Sequence, residues 1–124
     1  MNAKLDTTLF YVKNVVLIKN FYVEHFNFTV LEEDSSWALL NAGSSHIAFH
    51  KIGEEYLQKI SEDHQFDNNI KLIFEIDIDI LLARNELLSK NVRMREIKTF
   101  DNYGFWLCDG LDPEGNVFQL KSKK

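Results

Sequence analysis

The chain has 124 residues, 45% of them hydrophobic, with ten Phe, a net charge of −5 and a single cysteine. This is enough apolar material for one globular core. No apolar run approaches the ~20 residues of a membrane helix, and the acidic balance argues against nucleic acid, whose phosphates call for concentrated Lys and Arg. A lone cysteine, Cys108, excludes an internal disulfide and suits a reducing cytoplasm. Its apolar surroundings predict a buried small side chain rather than a nucleophile.

Residues 1–6 lack the apolar core of a signal peptide. Residues 6–12 alternate, with Thr8, Phe10 and Val12 on one face and Thr7, Leu9 and Tyr11 on the other, and predict a strand. Asn14 is placed to cap a helix over 15–26, whose apolar residues Val15, Leu17, Ile18, Phe21, Tyr22 and Phe26 follow a period near 3.6. A strand over 28–33, a turn at Asp34-Ser35-Ser36, a strand over 37–41, a turn at 42–45 and a strand over 46–51 follow. Residues 53–69 are polar and read as a connection, with one short helix or an ordered loop over 54–63.

A strand over 70–76 opens the second half, and Asp77 or Asp79 caps a helix running to about residue 90. A charge-interrupted strand over 92–99 has the composition of a sheet edge. A turn at Asp101-Asn102-Tyr103-Gly104, a strand over 105–108, an acidic turn over 110–116 and a strand over 117–122 complete the chain. The basic tail Lys121-Ser122-Lys123-Lys124 reads as a solubilising end.

The two halves repeat one plan. Phe10-Tyr11-Val12 and Phe74-Glu75-Ile76 are equivalent strand ends, and Val12 to Ile76, Asn27 to Asn91 and Val30 to Met94 share an offset of 64 residues. The expected fold class is therefore α+β, with two βαβββ modules in tandem forming an open mixed-sheet barrel around a cleft. Residues 1–124 are expected to form a single domain, with module one over about 5–52, the connection over 53–69 and module two over about 70–122.

Asp112-Pro113-Glu114-Gly115-Asn116-Val117-Phe118-Gln119-Leu120, Phe74-Glu75-Ile76-Asp77-Ile78-Asp79 and Asp34-Ser35-Ser36-Trp37-Ala38-Leu39-Leu40 give the chain its nearest likeness. With Gly43 and the strand from His46 to Phe49, it resembles the vicinal oxygen chelate superfamily (glyoxalase, bleomycin resistance protein and dioxygenase), closest to the bleomycin-resistance branch. In the enzymes of that superfamily four cleft positions hold a divalent metal. The resemblance carries those positions to Thr7, Ala48, Lys71 and Gln119. Thr and Gln are weak neutral ligands, Ala offers none and Lys brings a competing charge, so no metal and no cofactor are expected. Metal-dependent isomerisation, epoxide opening and ring cleavage need that ion as a Lewis acid, and none of them is expected. The resemblance implies instead a small-molecule-binding protein that sequesters an antibiotic-like ligand and assembles as a homodimer, while the charge, hydropathy and lone cysteine predict a cytoplasmic protein with no nucleic-acid or membrane partner.

Strand alternation sets Tyr11, His46, His50, Lys71, Ile73, Glu75, Gln119 and Lys121 on the expected cleft faces, with Trp37 and Phe105 or Trp106 nearby, and the ligand-binding candidates are Tyr11, Trp37, His50, Lys71, Glu75, Trp106 and Gln119. The aromatic residues would stack on a flat ligand, and His50, Glu75 and Gln119 would orient it. Lys71 is placed to meet Gln119 across the sheet, to anchor an anionic ligand group or to stand solvated at the rim, and Glu75 to neutralise Lys71 or to hold a cationic ligand. His46 and His50 lie about 13 Å apart if both are on one strand, too far to share a metal. Arg84, Arg93 and Arg95 are expected to face solvent. The alternative is a small enzyme of the same superfamily acting on a carbonyl compound, with His50 or Glu75 as general base.

Overall fold

A computed structural model describes residues 1–2, 4–68 and 70–124. It comprises two compact units, Met1–His64 and Gln65–Lys124. The division falls inside the expected connection, whose last residue, Asn69, lies outside the described residues.

The first unit runs β1 (Thr7–Val12), α1 (Val15–Phe26), β2 (Thr29–Glu33), β3 (Trp37–Asn41), β4 (His46–Lys51) and the single-turn α2 (Glu54–Leu57). Its sheet has the order β1-β4-β3-β2. β1 pairs with β4 in parallel, Thr7 opposite His46 and Tyr11 opposite His50. The other two pairings are antiparallel. Asn14 caps α1 through its side chain, which accepts from the Leu17 amide at 3.0 Å. Asn27 ends the helix in the left-handed region at φ 56°, a conformation Asn tolerates better than most residues. Val15, Ile18, Phe21 and Tyr22 bury the apolar stripe of α1 against β3 and β4. There Tyr22 stacks on Phe49 with ring centroids 5.4 Å apart. Phe10, Val12, Ala38, Leu40, Ile47 and Phe49 are all buried on that helix-covered side of the sheet. Each large side chain among them contributes roughly 1.5–3 kcal/mol of burial.

The second unit repeats this plan with β5 (Lys71–Glu75), α3 (Ile80–Ser89), β6 (Arg93–Lys98), β7 (Phe105–Leu111) and β8 (Val117–Lys123). Its sheet has the order β5-β8-β7-β6, again with the first and last strands parallel. Of the two candidate caps for α3, Asp79 does the capping: its Oδ1 accepts from the amides of Leu81 and Leu82 at 2.9 and 3.1 Å. Ile80, Ala83 and Leu87 of α3 are buried, and the helix packs on β6, β7 and β8 over Cys108, Phe118 and Leu120. The α+β class and the tandem βαβββ modules are thus as expected. Each sheet stays open, with β1 and β2 as the edges of one and β5 and β6 of the other.

One strand differs from expectation. β7 continues through Asp109 and Gly110 to Leu111 instead of stopping at Cys108. Asp109 and Gly110 favour turns, but here they pair with Gln119 and Phe118 of β8. The turn that follows is closed by Asp112, whose Oδ1 accepts from the amides of Glu114 and Asn116 at 2.9 Å each. Gly115 supplies its positive φ of 87°. The later part of the connection is tied down at two places: Lys13 Nζ donates to the carbonyls of Glu62 and His64 at 3.1 Å, and the Phe66 amide donates to the Glu114 carbonyl at 2.9 Å.

Candidate functional site

In the first unit the sheet face away from α1 carries an aromatic group. Tyr11, Trp37 and His50 come from β1, β3 and β4, and the register sets Tyr11 and Trp37 on either side of His50. The Tyr11 and His50 rings are 5.7 Å apart at 67°, and those of Trp37 and His50 are 6.2 Å apart at 69°. These edge-to-face contacts leave ring faces available for stacking. Trp37 is fixed by its indole N–H, which donates to Glu32 Oε2 at 2.9 Å. His50 Nδ1 lies 2.8 Å from the Lys51 carbonyl oxygen. A carbonyl only accepts, so Nδ1 carries the hydrogen, and in the neutral ring Nε2 holds the lone pair. Nearby, Asp34 closes the β2–β3 turn by accepting from the Ser36 amide and hydroxyl at 2.8 and 3.1 Å. Those bonds, the amide's first, hold its carboxyl below the usual range.

The corresponding face of the second unit is charged and centres on Asp109, which the sequence reading did not single out. Its side chain is only 3% exposed. Gln119 Nε2 donates to its Oδ1 at 2.7 Å, and Lys71 Nζ donates to its Oδ2 at 2.9 Å. Arg95 Nη1 and Lys98 Nζ approach the same Oδ2 at 3.5 and 3.8 Å. Burial alone would push this carboxyl up. The hydrogen bonds from Lys71 and Gln119, with the charges of Lys71 and Lys98, outweigh burial and hold it below the usual carboxylate range.

Lys71 and Gln119 are therefore brought together, but through Asp109, and it is Asp109 rather than Glu75 that neutralises Lys71. Glu75 sits at the far end of β5, exposed, and lines a separate hollow of about 510 Å³ with Ile76, Asp77, Ile78, Asp79, Ser122 and Lys123. Trp106 is on the other side of the sheet from Lys71 and Gln119, since it pairs with Ser122 and shares the Cys108 face. Phe105 is the aromatic residue on the Gln119 side, where Lys121 Nζ rests 4.0 Å from its ring centroid. The three arginines do not simply face solvent. Arg84 donates to the Arg95 carbonyl and to Glu96, Arg93 donates to Gln65 and to the Asp112 carbonyl, and Arg95 pairs with Asp109. Cys108 is fully buried, and burial pushes its thiol up, so it stays protonated at neutral pH.

The four positions where the resemblance would put a metal do not fit one. The Thr7 hydroxyl donates to Asp6 Oδ2 at 2.6 Å, and Ala48 is a buried methyl with no donor atom. Lys71 Nζ and Gln119 Nε2 both donate to Asp109, which leaves the neutral Oε1 of Gln119, a weak ligand, as the one donor atom the pair could offer a metal. Asp109 cannot replace them, because a divalent cation there would enter beside three positive side chains. Among the described residues, no three His, Cys, Asp or Glu side chains gather as a metal site would require. None of the helices described is long and apolar enough to cross a membrane.

No protein-family model matches the sequence, and no curated protein matches it. Solved structures do match in shape. An integron cassette protein from the mobile metagenome of Vibrio cholerae superposes with a TM-score of 0.73 at 18% identity, covering 100% of this chain and 98% of that one. A lactoylglutathione lyase from Agrobacterium tumefaciens gives 0.73 at 12% identity, covering 98% and 95%. A genomically encoded fosfomycin resistance protein from Listeria monocytogenes gives 0.71 at 14% identity, covering 100% and 94%. The chain has the fold of these proteins. At such identities the likeness fixes architecture and leaves the chemistry to the residues.

Proposed function

We propose that this protein is a small-molecule-binding member of the glyoxalase/bleomycin resistance superfamily, one that holds its ligand without a metal ion. On this reading it sequesters an antibiotic-like compound, acts as a cytoplasmic homodimer and needs no cofactor. The fold shared with a lactoylglutathione lyase and a fosfomycin resistance protein supports the superfamily. The observation that carries the metal-free part is the donor set: Ala48 offers no ligand atom, and Lys71 and Gln119 are tied to Asp109. The aromatic group of Tyr11, Trp37 and His50 supplies stacking surface for a flat ligand.

The test is elemental analysis of untagged protein after exposure to Zn²⁺, Ni²⁺, Mn²⁺ or Fe²⁺, followed by a thermal-shift screen of flat polar compounds. The expected result is no stoichiometric metal and a saturable stabilisation by one class of compound. One tightly bound ion per chain would overturn the reading.

A second reading is a small enzyme acting on a carbonyl compound, with His50 as general base. It is favoured by the Nδ1–H donated to the Lys51 carbonyl, which orients the ring and leaves Nε2 to take a proton. Turnover of a dicarbonyl substrate, lost in His50→Gln and retained after chelation, would put this reading first.

A further inference from the structure

We infer that Lys71, Arg95 and Lys98 form a subsite for an oxyanion, a carboxylate or a phosphate-type group carried by the ligand. This rests on the binding reading above and names what one part of the ligand must be. Three cations converge on a single carboxylate, so two positive charges remain uncompensated within the cluster. Each oxygen of the carboxylate already accepts one close bond, Oδ1 from Gln119 and Oδ2 from Lys71. Arg95 at 3.5 Å and Lys98 at 3.8 Å are held near Oδ2 beyond good hydrogen-bond range, so their donors are poorly spent on it.

All three side chains remain accessible, at 38%, 50% and 47% exposure for Lys71, Arg95 and Lys98. Lys71 and Arg95 form part of the wall of a hollow of about 390 Å³, completed by Asp67, Asn68, Ile70 and Val117. Asp67 offsets one charge there, and the cluster as a whole still carries an excess of positive charge in a chain whose net charge is −5. An anion seated against Arg95 relieves the repulsion among the three cations. The planar guanidinium fork and the lysine ammonium groups together match a carboxylate or a tetrahedral oxyanion.

The fold itself does not demand this cluster. In the first unit the partner of Ala48 across the sheet is Leu39, where the second unit sets Asp109 opposite Gln119. The charged group is therefore a property of this one face rather than of the βαβββ plan.

Inorganic phosphate and acetate are the probes, each titrated against sodium chloride of matched ionic strength, with binding followed by amide NMR shifts of residues 93–98 and by Tm. Saturable shifts are expected from at least one of the two oxyanions and not from chloride. Whichever of phosphate and acetate saturates identifies the group. Arg95→Gln and Lys98→Gln, both at half-exposed positions, should each weaken binding at least fivefold, and Asp109→Asn should tighten it by removing the competing carboxylate. Oxyanion effects equal to those of chloride, or unchanged in the Arg95→Gln/Lys98→Gln double variant, would overturn the subsite. If a neutral organic ligand still stabilised the protein in that case, the binding reading would stand without it. Saturable phosphate or acetate binding beside one tightly bound metal ion per chain would support the subsite and overturn the metal-free reading.

Discussion

Replacing Asp109 by asparagine tests whether the buried carboxylate organises the charged face. The side chain keeps its shape and loses its charge. Gln119 Nε2 donates to Oδ1 at 2.7 Å, so in the variant two amide donors meet unless Gln119 turns over or the new side chain presents its oxygen there instead. Each remedy leaves one polar contact poorer, and a buried group left unsatisfied costs about 1–3 kcal/mol. The bond from Lys71 at 2.9 Å loses its charge assistance, but Lys71 is more than a third exposed, so screening limits that loss to about 1 kcal/mol or less. The expected destabilisation at neutral pH is about 2 kcal/mol in total.

The pH dependence fixes the cause. The folded-state pKa of Asp109 is held below the usual value, so its contribution is complete above the unfolded value of about 4 and disappears as pH falls through the folded value. Urea unfolding of both proteins should show the full gap at about pH 7 and about pH 5, and a gap that narrows as the pH falls below about 4. A gap that stays constant as the pH falls would refute the electrostatic account, because the lost stability would then come from the neutral hydrogen bonding with Gln119 alone.

Two further outcomes follow from the second unit. Asp79→Ala should cost about 0.5–2 kcal/mol through loss of the cap on Leu81 and Leu82, whereas Asp77→Ala should be nearly neutral; equal costs in urea unfolding would contradict the assigned cap. Gly110→Ala should cost about 1–3 kcal/mol, because its Cβ would run into the Phe118 ring and fall 2.6 Å from Met94 Sδ, and an unchanged unfolding midpoint would show that the face between β6 and β8 has room.

Much of the frame was legible in the residues. The alternation of Phe10 and Val12, the 3.6-residue spacing of Val15, Ile18 and Tyr22, and the 64-residue offset between the halves each reflect burial on one side of an element. The candidate face was legible in part: alternation put Tyr11 and His50 on one side of their strands, and the register of β3 adds Trp37 beside them. It was not legible where the pattern was silent. Phe105-Trp106-Leu107-Cys108 is apolar at every position, so parity could not say which aromatic residue faces Gln119. Asp109 was hidden because Asp-Gly ordinarily ends a strand, and only pairing with Gln119 and Phe118 shows that this strand continues. Arg95 lies within the register shift between Met94 and Ile97, which regular alternation does not anticipate.

The crossover in each sheet also sets an order of assembly. β2, β3 and β4 are joined by short turns, as β7 and β8 are, and such local pairings close early. Among the described residues β1 pairs with β4 alone, with Thr7 opposite His46, and β5 with β8 alone, with Lys71 opposite Val117. The strand made first in each unit is thus the one that waits longest for a neighbour. On a ribosome the first sheet has every partner it needs once residue 51 has emerged, so it can be complete while the charged second face is still being synthesised.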